Sequence, residues 1–226
     1  MAKRKAHRPI IILASTSPRR LDLMKTCGFH VCTIAPIVSE KRLAGESVRK
    51  MVLRLACLKA HSALAKQCEA MAPFGVGSVV VAADTVVIAP TAAGAHGRRV
   101  TVLGKPRNER DAARMLGMLQ GRTHTVLTGY CLMPVSGGVV SVRKRAVKRI
   151  VKSEVKIRRL SKMEIRRYVA TGEPMDKAGG YAAQGFGMML IERICGSYSN
   201  VVGLPMAEVA RDLEEHFGIS IFSGAT

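Results

Sequence analysis

The sequence predicts an α/β fold with a mixed, elongated sheet flanked by helices, on two observations. Short, continuous apolar runs at residues 10–14 and 79–89 are typical of strands that are buried on both faces. Residues 47–69, 108–121 and 205–218 carry apolar side chains three and four positions apart, which is the spacing of amphipathic helices. A chain of 226 residues is long enough for one large α/β domain or for two small lobes with a cleft between them.

No internal repeat and no linker rich in proline or serine divides the chain. We therefore predict a single domain over residues 1–226, with a basic N-terminal extension at 1–9 and a short tail at 218–226. Two lobes remain the alternative.

Turn and cap signals delimit the elements of the first half of the chain. Ser17 is a natural helix N-cap, Pro18 suits the first helical position, and Gly28 suits the end of that helix. Small residues at 90–97 predict a turn. The extended segments predicted here are 10–14, 29–38, 79–89 and 98–103.

Similar signals delimit the second half. Asn108 caps a helix that Gly121 ends, and Ser161 with Glu164 forms a capping box that begins another. Glycines within residues 173–187 predict a site loop with close backbone approach, although the Gly-x-Gly-x-x-Gly dinucleotide pattern is not satisfied. The strands predicted here are 124–133, 139–159 and 188–193.

The net charge and the cysteine content indicate which kinds of partner the protein binds and in which compartment it folds. A net charge of +20 favours anionic partners such as nucleotides, nucleic acid or an acidic surface. Tryptophan is absent and aromatic residues are few, so base-stacking platforms for single-stranded nucleic acid are poorly supplied. The cysteines and histidines show no zinc-ligand spacing, which favours free thiols in a reducing compartment. The apolar stretch at residues 10–14 is too short for a signal peptide, and we expect a soluble, cytoplasmic protein without a membrane span.

Asp84 and Thr85 end the apolar run at 79–83, and an acid is rarely left at such a place without a metal, a partner charge or a role. Two interpretations carry equal weight on this stretch alone. Asp84 is a functional carboxylate, or it pairs with a nearby cation for structural reasons.

Hydroxyl groups and guanidinium groups gather at the predicted start of the first helix, where residues 15–20 read Ser-Thr-Ser-Pro-Arg-Arg. Free N–H groups at a helix N-terminus bind anions, so this turn predicts a phosphate site. A solvated basic turn is the alternative. Four more polar residues can be placed near Asp84, although each alone is an ordinary surface residue: Glu40, Lys59, Lys105 and Gln184. One carboxylate among several cations suits a site for polyphosphate and a metal.

A basic run covers residues 143–159. Such a run is usually a solvated face, and nucleic-acid binding is the less favoured interpretation.

Seven short motifs, each weak alone, are highly specific in their order and spacing. They are LASTSPRR at 13–20, ADT at 83–85, GKP at 104–106, GRTHT at 121–125, EPMDKAG at 173–179, YAAQG at 181–185 and VGLP at 202–205. On these motifs the chain resembles the Maf family of nucleoside triphosphate pyrophosphatases over residues 11–217.

The resemblance implies a fold related to the inosine triphosphate pyrophosphatases, with a central cleft, a homodimer and a divalent cation, Mg²⁺ or Mn²⁺. It also implies cleavage between the α- and β-phosphates, which yields a nucleoside monophosphate and pyrophosphate. The family's substrate-selecting positions fall on Arg19, Thr85 and Gln184, a trio that resembles the dTTP/UTP branch. The alternatives are a 7-methyl-GTP-type pyrophosphatase of the same family and a basic nucleic-acid-binding protein on a nucleotidase fold.

The family's general base falls on Asp84, which would orient or deprotonate the attacking water or hold the metal with Glu40. Four further positions are expected to bind phosphate and to take up charge on the pyrophosphate: Ser15, Arg20, Lys59 and Lys105.

Overall fold

The computed structural model describes residues 10–69, 77–90, 100–136, 139–140, 145–220 and 222. The strands are β1 (Ile11–Leu13), β2 (Val31–Thr33), β3 (Val79–Pro90), β4 (Val100–Leu103), β5 (Thr123–Ser136), β6 (Val139–Val140), β7 (Val147–Ile157) and β8 (Ile191–Cys195). The helices are α1 (Pro18–Thr26), α2 (Val48–Glu69), α3 (Glu109–Leu119), α4 (Lys162–Ala170), α5 (Tyr198–Val202) and α6 (Met206–Phe217). Short 3-10 turns cover Glu173–Asp176, Ala178–Gly180 and Gly185–Leu190. The predicted extension at 1–9, most of the turn at 90–97 and most of the tail lie outside the described residues.

The strands form a mixed sheet in the order β2-β1-β3-β5-β7-β8, with β4 beside β3 and β6 beside β5. β1 runs parallel to both β2 and β3, whereas β4 pairs antiparallel with β3 and β8 pairs antiparallel with β7. This arrangement confirms the predicted α/β class with a mixed sheet. Within the part of the chain that the structure describes, no helix is both long enough and apolar enough to cross a bilayer.

The chain divides into two compact units. The first unit contains Met1–Asp84, Gly129–Arg149 and Met206–Thr226, and the second contains Thr85–Thr128 and Ile150–Pro205. The single domain over residues 1–226 therefore stays a prediction.

In the first unit, α2 packs closely on the strands because its inward face is small. Ala56, Ala60 and Ala63 are fully buried in a core that also contains Ile12 of β1 and Val80 of β3. A side chain without atoms beyond Cβ lets a helix backbone approach a sheet, and the buried strands supply the apolar surface that holds it there. This packing fixes the position of Lys59, which α2 carries next to Ala60.

A glycine makes the closest part of this contact possible. Gly129 of β5 lies against the backbone of α2, and a Cβ atom at this position would be 2.6 Å from the Val52 carbonyl group. Only a residue without a side chain fits there.

In the second unit, α3 and α4 cover a core built from both helices and the strands. Leu116 and Leu119 of α3, Val169 of α4 and Ile157 of β7 are buried together in it. Their apolar burial holds the segment that follows α4, which contains the predicted site loop, because Tyr181 belongs to the same core.

Local signals predict most boundaries, with one correction. The Asn108 side chain accepts a hydrogen bond from the Asp111 N–H, and the Ser161–Glu164 capping box is present. Ser17 is the N-cap residue of α1, as predicted, but its side chain makes no cap hydrogen bond. The strand predicted at 188–193 begins only at Ile191, because the residues before it form a 3-10 turn.

Candidate active site

A buried ion pair lies at the centre of the first unit's polar cluster. The Lys59 ammonium group of α2 donates to Asp84 Oδ1 of β3 at 2.7 Å and lies 2.6 Å from Glu40 Oε1. The side chains of Lys59 and Asp84 are only 10% and 9% exposed, whereas that of Glu40 is 62% exposed. Lys59 thus joins one buried carboxylate and one solvated carboxylate.

Lys59 is the nearby cation that the sequence analysis proposed as a structural partner of Asp84. A buried carboxylate is tolerated when a cation and hydrogen bonds compensate its lost hydration, and Lys59 supplies both. Removing one member of such a buried pair typically costs roughly 3–5 kcal/mol, since the other charge stays buried without compensation. The pair explains why Asp84 is stable at this position, and the role of Asp84 as a base stays a prediction.

The start of α1 is fastened to the same end of β3. Ala14 donates its N–H to the Val81 carbonyl at 2.9 Å, which extends the parallel pairing of β1 and β3 beyond the strand end. The Arg20 guanidinium group donates to the Ala83 carbonyl at 2.8 Å, next to Asp84, and reaches the Ser15 hydroxyl at 3.5 Å. Carboxyl ends of adjacent parallel strands are a common location for ligand sites in α/β proteins.

The Ser15 hydroxyl holds the turn that precedes α1. The buried Ser15 hydroxyl accepts the N–H of Ser17 at 3.1 Å. Ser15 therefore shapes the turn and also faces the Arg20 guanidinium group. Its predicted contact with phosphate stays a prediction.

Electrostatic forces act on Arg20 in both directions. Burial lowers the pKa of the Arg20 guanidinium group, the Asp84 and Glu40 carboxylates raise it, and the neighbouring Arg19 lowers it. Arginine remains charged under all these influences, because its ordinary pKa lies above 12. The first unit therefore gathers three predicted cations around two carboxylates: Arg19, Arg20 and Lys59 with Glu40 and Asp84.

The remaining predicted site residues belong to the second unit. The Thr85 hydroxyl donates to the Gly203 carbonyl at 3.3 Å and shares a 2.9 Å hydrogen bond with the Thr128 hydroxyl. Gly203 belongs to the motif at 202–205, so Thr85 connects two of the motifs found in the sequence.

Lys105 is exposed and follows Gly104, whose carbonyl accepts the N–H of Gly179 at 3.0 Å. Gly179 has a left-handed φ of +76°, and a Cβ atom there would be 2.9 Å from the Val87 side chain. Gln184 is half-buried and has extended backbone where the last 3-10 turn begins. The loop carrying Lys105 therefore contacts the segment 173–187 that contains Gln184.

The basic run at 143–159 is largely paired with acids where the structure describes it; Arg143 and Lys144 lie outside that part. Four of its cations form ion pairs of 2.7–2.8 Å with carboxylates: Arg149 with Asp212, Lys152 with Glu154, Lys156 with Glu192 and Arg158 with Glu164. These pairs reduce the positive charge that this stretch offers to a polyanion.

The Maf-like protein family model matches residues 10–216, which include the Asp84–Lys59 pair, the turn at the start of α1 and the segment with Gln184. The chain belongs to the Maf-like protein family.

Several curated proteins are similar to this Maf-like chain over most of their length. The dTTP/UTP pyrophosphatase of Syntrophotalea carbinolica is 39% identical over 213 residues, which are 94% of this chain and 87% of that protein. The dTTP/UTP pyrophosphatase of Anaeromyxobacter dehalogenans is 43% identical over 202 residues, 89% of this chain and 91% of that protein. That of Shewanella denitrificans is 41% identical over 202 residues, 87% and 91% of the two chains. Among solved structures, the Staphylococcus aureus Ham1 protein is similar to this chain with a TM-score of 0.41 and 16% sequence identity. The match covers 80% of this chain and 79% of that one.

Sequence reasoning missed how the Maf-like chain holds the loop around Gln184. The Glu173 carboxylate accepts the N–H groups of Phe186 at 3.0 Å and Gly187 at 2.8 Å. The Tyr168 hydroxyl accepts the N–H of Ala182 at 3.0 Å. Burial and the hydrogen bond to Glu173 both raise the pKa of the Tyr168 hydroxyl, so it stays protonated at neutral pH.

Two signals pointed towards these residues without revealing their role. Glu173 begins one of the seven motifs, and Tyr168 lies at the apolar face of a predicted helix. Neither position shows in the sequence which backbone N–H group it will bind, because the partners are up to 14 residues away.

A second missed feature is the Glu46–Arg54 pair. Arg54 of α2 binds both carboxylate oxygens of Glu46, at 2.6 and 2.8 Å. The Arg54 hydrogen bonds lower the pKa of Glu46 to about 2. This fork fastens the segment just before α2, a few residues after Glu40.

Proposed function

We propose that this Maf-like chain hydrolyses dTTP and UTP to the nucleoside monophosphate and pyrophosphate. The observation that carries the proposal is the Asp84 carboxylate, buried at the end of β3 and bound by Lys59, within a cluster of cations. The names of the curated relatives, dTTP/UTP pyrophosphatases at about 40% identity, support the substrate assignment.

The reaction needs an activated water at the α-phosphorus. The water oxygen forms a bond to the α-phosphorus, and the bond from that phosphorus to the oxygen bridging to the β-phosphorus breaks. Pyrophosphate leaves with the electron pair of that bond, and the Asp84 carboxylate takes the proton of the water. An ionised carboxylate offers about four acceptor sites, so Asp84 can accept a water proton while Lys59 occupies Oδ1.

The cations around Asp84 suit the charge that builds up in this reaction. The nine-residue helix α1 presents its N-terminus at the Ser15–Arg20 turn, and helix N-termini favour phosphate groups. Arg20 is held by its hydrogen bond to the Ala83 carbonyl, so it needs little reorganisation to stabilise a leaving pyrophosphate, and Lys59 lies beside it at Asp84. Lys105, exposed on its loop, is proposed as a further phosphate-binding cation.

We also propose that Glu40 and Asp84 hold a divalent cation, Mg²⁺ or Mn²⁺. The donor set fits such an ion, because both ligands are carboxylates and both already contact one cationic group, the Lys59 ammonium. When bound, the metal would neutralise phosphate charge and polarise the phosphoryl oxygens. Lys59, which now bridges the two carboxylates, would exchange one of these contacts for phosphate.

A panel of nucleoside triphosphates tests the proposal. The full chain is incubated with dTTP, UTP, the other common triphosphates and 7-methyl-GTP, each with Mg²⁺ or Mn²⁺ and with a chelator. Pyrophosphate and monophosphate release are measured separately, so that cleavage at the γ-phosphate is recognised. We expect turnover of dTTP and UTP that the chelator abolishes. Turnover confined to 7-methyl-GTP would overturn the branch, and no turnover of any triphosphate would overturn the enzyme assignment.

We further propose a cytoplasmic homodimer, as the family resemblance and the free thiols favour. Light scattering on the purified chain measures its mass against the 24.4 kDa of one copy. A basic nucleic-acid-binding role is less favoured, because four cations of the basic run are already paired with acids.

A further inference from the structure

Three side chains with metal-ligand chemistry meet at the end of α6, apart from the Asp84 cluster. Asp212, Glu215 and His216 are spaced i, i+3 and i+4, which places them on one face of the helix. One ligating atom from each lies within 4.8 Å of the others. Two of these side chains are exposed, and Asp212 is fully buried beneath them.

The buried carboxylate of Asp212 has one satisfied oxygen and one that lacks a partner. Oδ2 accepts the Tyr130 hydroxyl at 2.6 Å and the Arg149 Nε–H at 2.7 Å. Oδ1 is inaccessible to solvent, has no hydrogen-bond partner, and lies 3.9 Å from His216 Nε2. Since 3.9 Å is too long for a hydrogen bond and a buried unpaired oxygen is costly, Oδ1 points to a ligand in this gap.

The carboxylates around Asp212 outnumber the described cations, so the local charge favours binding of a cation. Arg149 pairs with Asp212 and also interacts electrostatically with Glu215, so one cation faces two carboxylates. Glu208, one turn earlier on α6, adds a further carboxylate with a buried, unpaired Oε2. The site is also in the last turns of a helix, where the macrodipole favours a positive ion.

We propose that Asp212, Glu215 and His216 bind a zinc ion that fastens the last turn of α6. Imidazole nitrogen with carboxylate oxygen suits Zn²⁺, which accepts three protein ligands and one water, whereas Mg²⁺ prefers oxygen ligands alone. The Arg149 and Tyr130 hydrogen bonds to Oδ2 would orient the Asp212 ligand from behind, as outer partners of metal ligands do. This site is independent of the nucleotide chemistry proposed for Asp84.

The test measures Zn²⁺ binding to the full chain, purified without a histidine tag and stripped with a chelator. Titration calorimetry is run on the unmodified chain, on His216→Ala and Glu215→Gln, and on Glu214→Gln, an exposed neighbour outside the trio, as the matched control. We expect one Zn²⁺ per chain to bind the unmodified chain and Glu214→Gln. The His216→Ala change should weaken this binding by at least the roughly 10–100-fold that loss of an outer partner costs.

Two further measurements separate this site from the six cysteines of the chain. Co²⁺ added in place of Zn²⁺ should give weak visible bands without the intense near-ultraviolet band of a Co²⁺–thiolate bond. Zn²⁺ should raise the melting temperature of the unmodified chain and of Glu214→Gln but not that of His216→Ala, since binding to the folded state alone is stabilising. Equal Zn²⁺ affinity in His216→Ala, a thiolate band that persists in it, or no stoichiometric binding to the unmodified chain would each overturn the proposal.

Discussion

At the scale of single residues, the contact between Lys59 and Asp84 decides which substitution of Asp84 is informative. Alanine would remove the carboxylate and leave the Lys59 ammonium group with less compensation in a buried position. Asparagine keeps the shape and an acceptor oxygen for Lys59, and Glu40 still balances the charge of Lys59.

We therefore expect Asp84→Asn to lower kcat by about 10²–10⁴-fold, the usual cost of losing a general base. The amide cannot take up a proton from water, whereas the fold should persist. Pyrophosphate release at saturating nucleotide and metal measures the loss, circular dichroism checks the fold, and Asp22→Asn, an exposed acid of α1, is the control. Near-normal kcat in a folded Asp84→Asn chain would make Asp84 a structural residue.

Gln184 is expected to select the base rather than to serve the chemistry. Its amide offers both donors and an acceptor, which match the carbonyl and N–H edge of uracil or thymine. Gln184→Glu replaces the donors with an acceptor and a negative charge, so kcat/KM for dTTP and UTP should fall while that for 7-methyl-GTP falls less or rises. Steady-state kinetics on the three nucleotides measure the ratio. An equal loss on all of them would contradict the assignment.

At the scale of elements, the contact between α2 and β5 depends on Gly129. We expect Gly129→Ala to destabilise the fold by at least the roughly 1–3 kcal/mol of overpacking, because the new methyl group meets the α2 backbone at Val52. Gly117 of α3 is exposed and a Cβ there meets nothing within 4 Å, so Gly117→Ala should stabilise by about 0.5–1 kcal/mol. Urea denaturation of both variants measures the two opposite changes in the free energy of unfolding. No change in Gly129→Ala would contradict the close packing of α2 on β5.

Cys57 of α2 is expected to be the most reactive of the described thiols at neutral pH. A hydrogen bond from Cys131 lowers the pKa of Cys57, with Lys148 and His61 contributing, although burial opposes the shift. At pH 7 Cys57 is then more ionised than an ordinary thiol, which ionises only near pH 8.5. Peptide mapping after brief iodoacetamide treatment should show Cys57 labelled before the exposed Cys27 and Cys195.

The Cys131→Ala variant provides the control for Cys57. Without the Cys131 hydrogen bond the pKa of Cys57 should rise, so its labelling at pH 7 should slow while that of Cys195 is unchanged. Labelling of Cys57 that is slow at pH 7 and speeds up only above pH 8 would contradict the prediction.

Sequence reasoning succeeds at this scale where a signal and its partner lie within one turn of helix. The Asn108 cap and the Ser161–Glu164 box are such cases, since each partner is three residues away. It fails where a distant group decides the local structure. The Glu173 carboxylate holds residues 186 and 187 in a 3-10 turn, so β8 begins later than predicted.

In the candidate site, too, the features formed by neighbouring residues could be predicted from the sequence, and the contacts between distant residues could not. The motif at 15–20 predicts an anion-binding turn, because hydroxyl groups, helix start and cations are adjacent in the chain. Lys59 reads as a surface lysine, and its burial against Asp84 follows only from the packing of α2 on β3. No local pattern carries that information.

At the scale of the whole molecule, three carboxylates in different parts of the chain make the fold sensitive to acid. Hydrogen bonds from Arg54, from Arg114 and from the Ser161 backbone lower the pKa values of Glu46, Asp111 and Glu164, each to about 2. A carboxylate whose pKa is lower in the folded state stabilises above its unfolded pKa, near 4, and loses that effect as pH falls to the folded pKa.

We therefore expect the free energy of unfolding to fall between pH 4.5 and 2 through these carboxylates, after an earlier fall from about pH 6.5 to 4 through His124, whose pKa burial lowers to about 4. Urea denaturation at pH 6, 4 and 3 measures the fall. The Glu46→Gln variant should be less stable than the unmodified chain at pH 6, and the difference between them should shrink towards pH 2. A constant difference across this range would contradict the role of ionised Glu46.

The hydrogen bonds that Glu173 accepts from the loop around Gln184 have a consequence for how substrate preference changes among related chains. The N–H groups of Phe186 and Gly187 are held by Glu173, and that of Ala182 by Tyr168, so the anchors of this loop stand at other positions than Gln184. On the predicted role of Gln184, a mutation at this position would change the group offered to a nucleobase while the anchors of the loop persist. We therefore expect substitutions at position 184 to alter substrate preference while the hydrogen bonds of Phe186 and Gly187 to Glu173 and of Ala182 to Tyr168 persist.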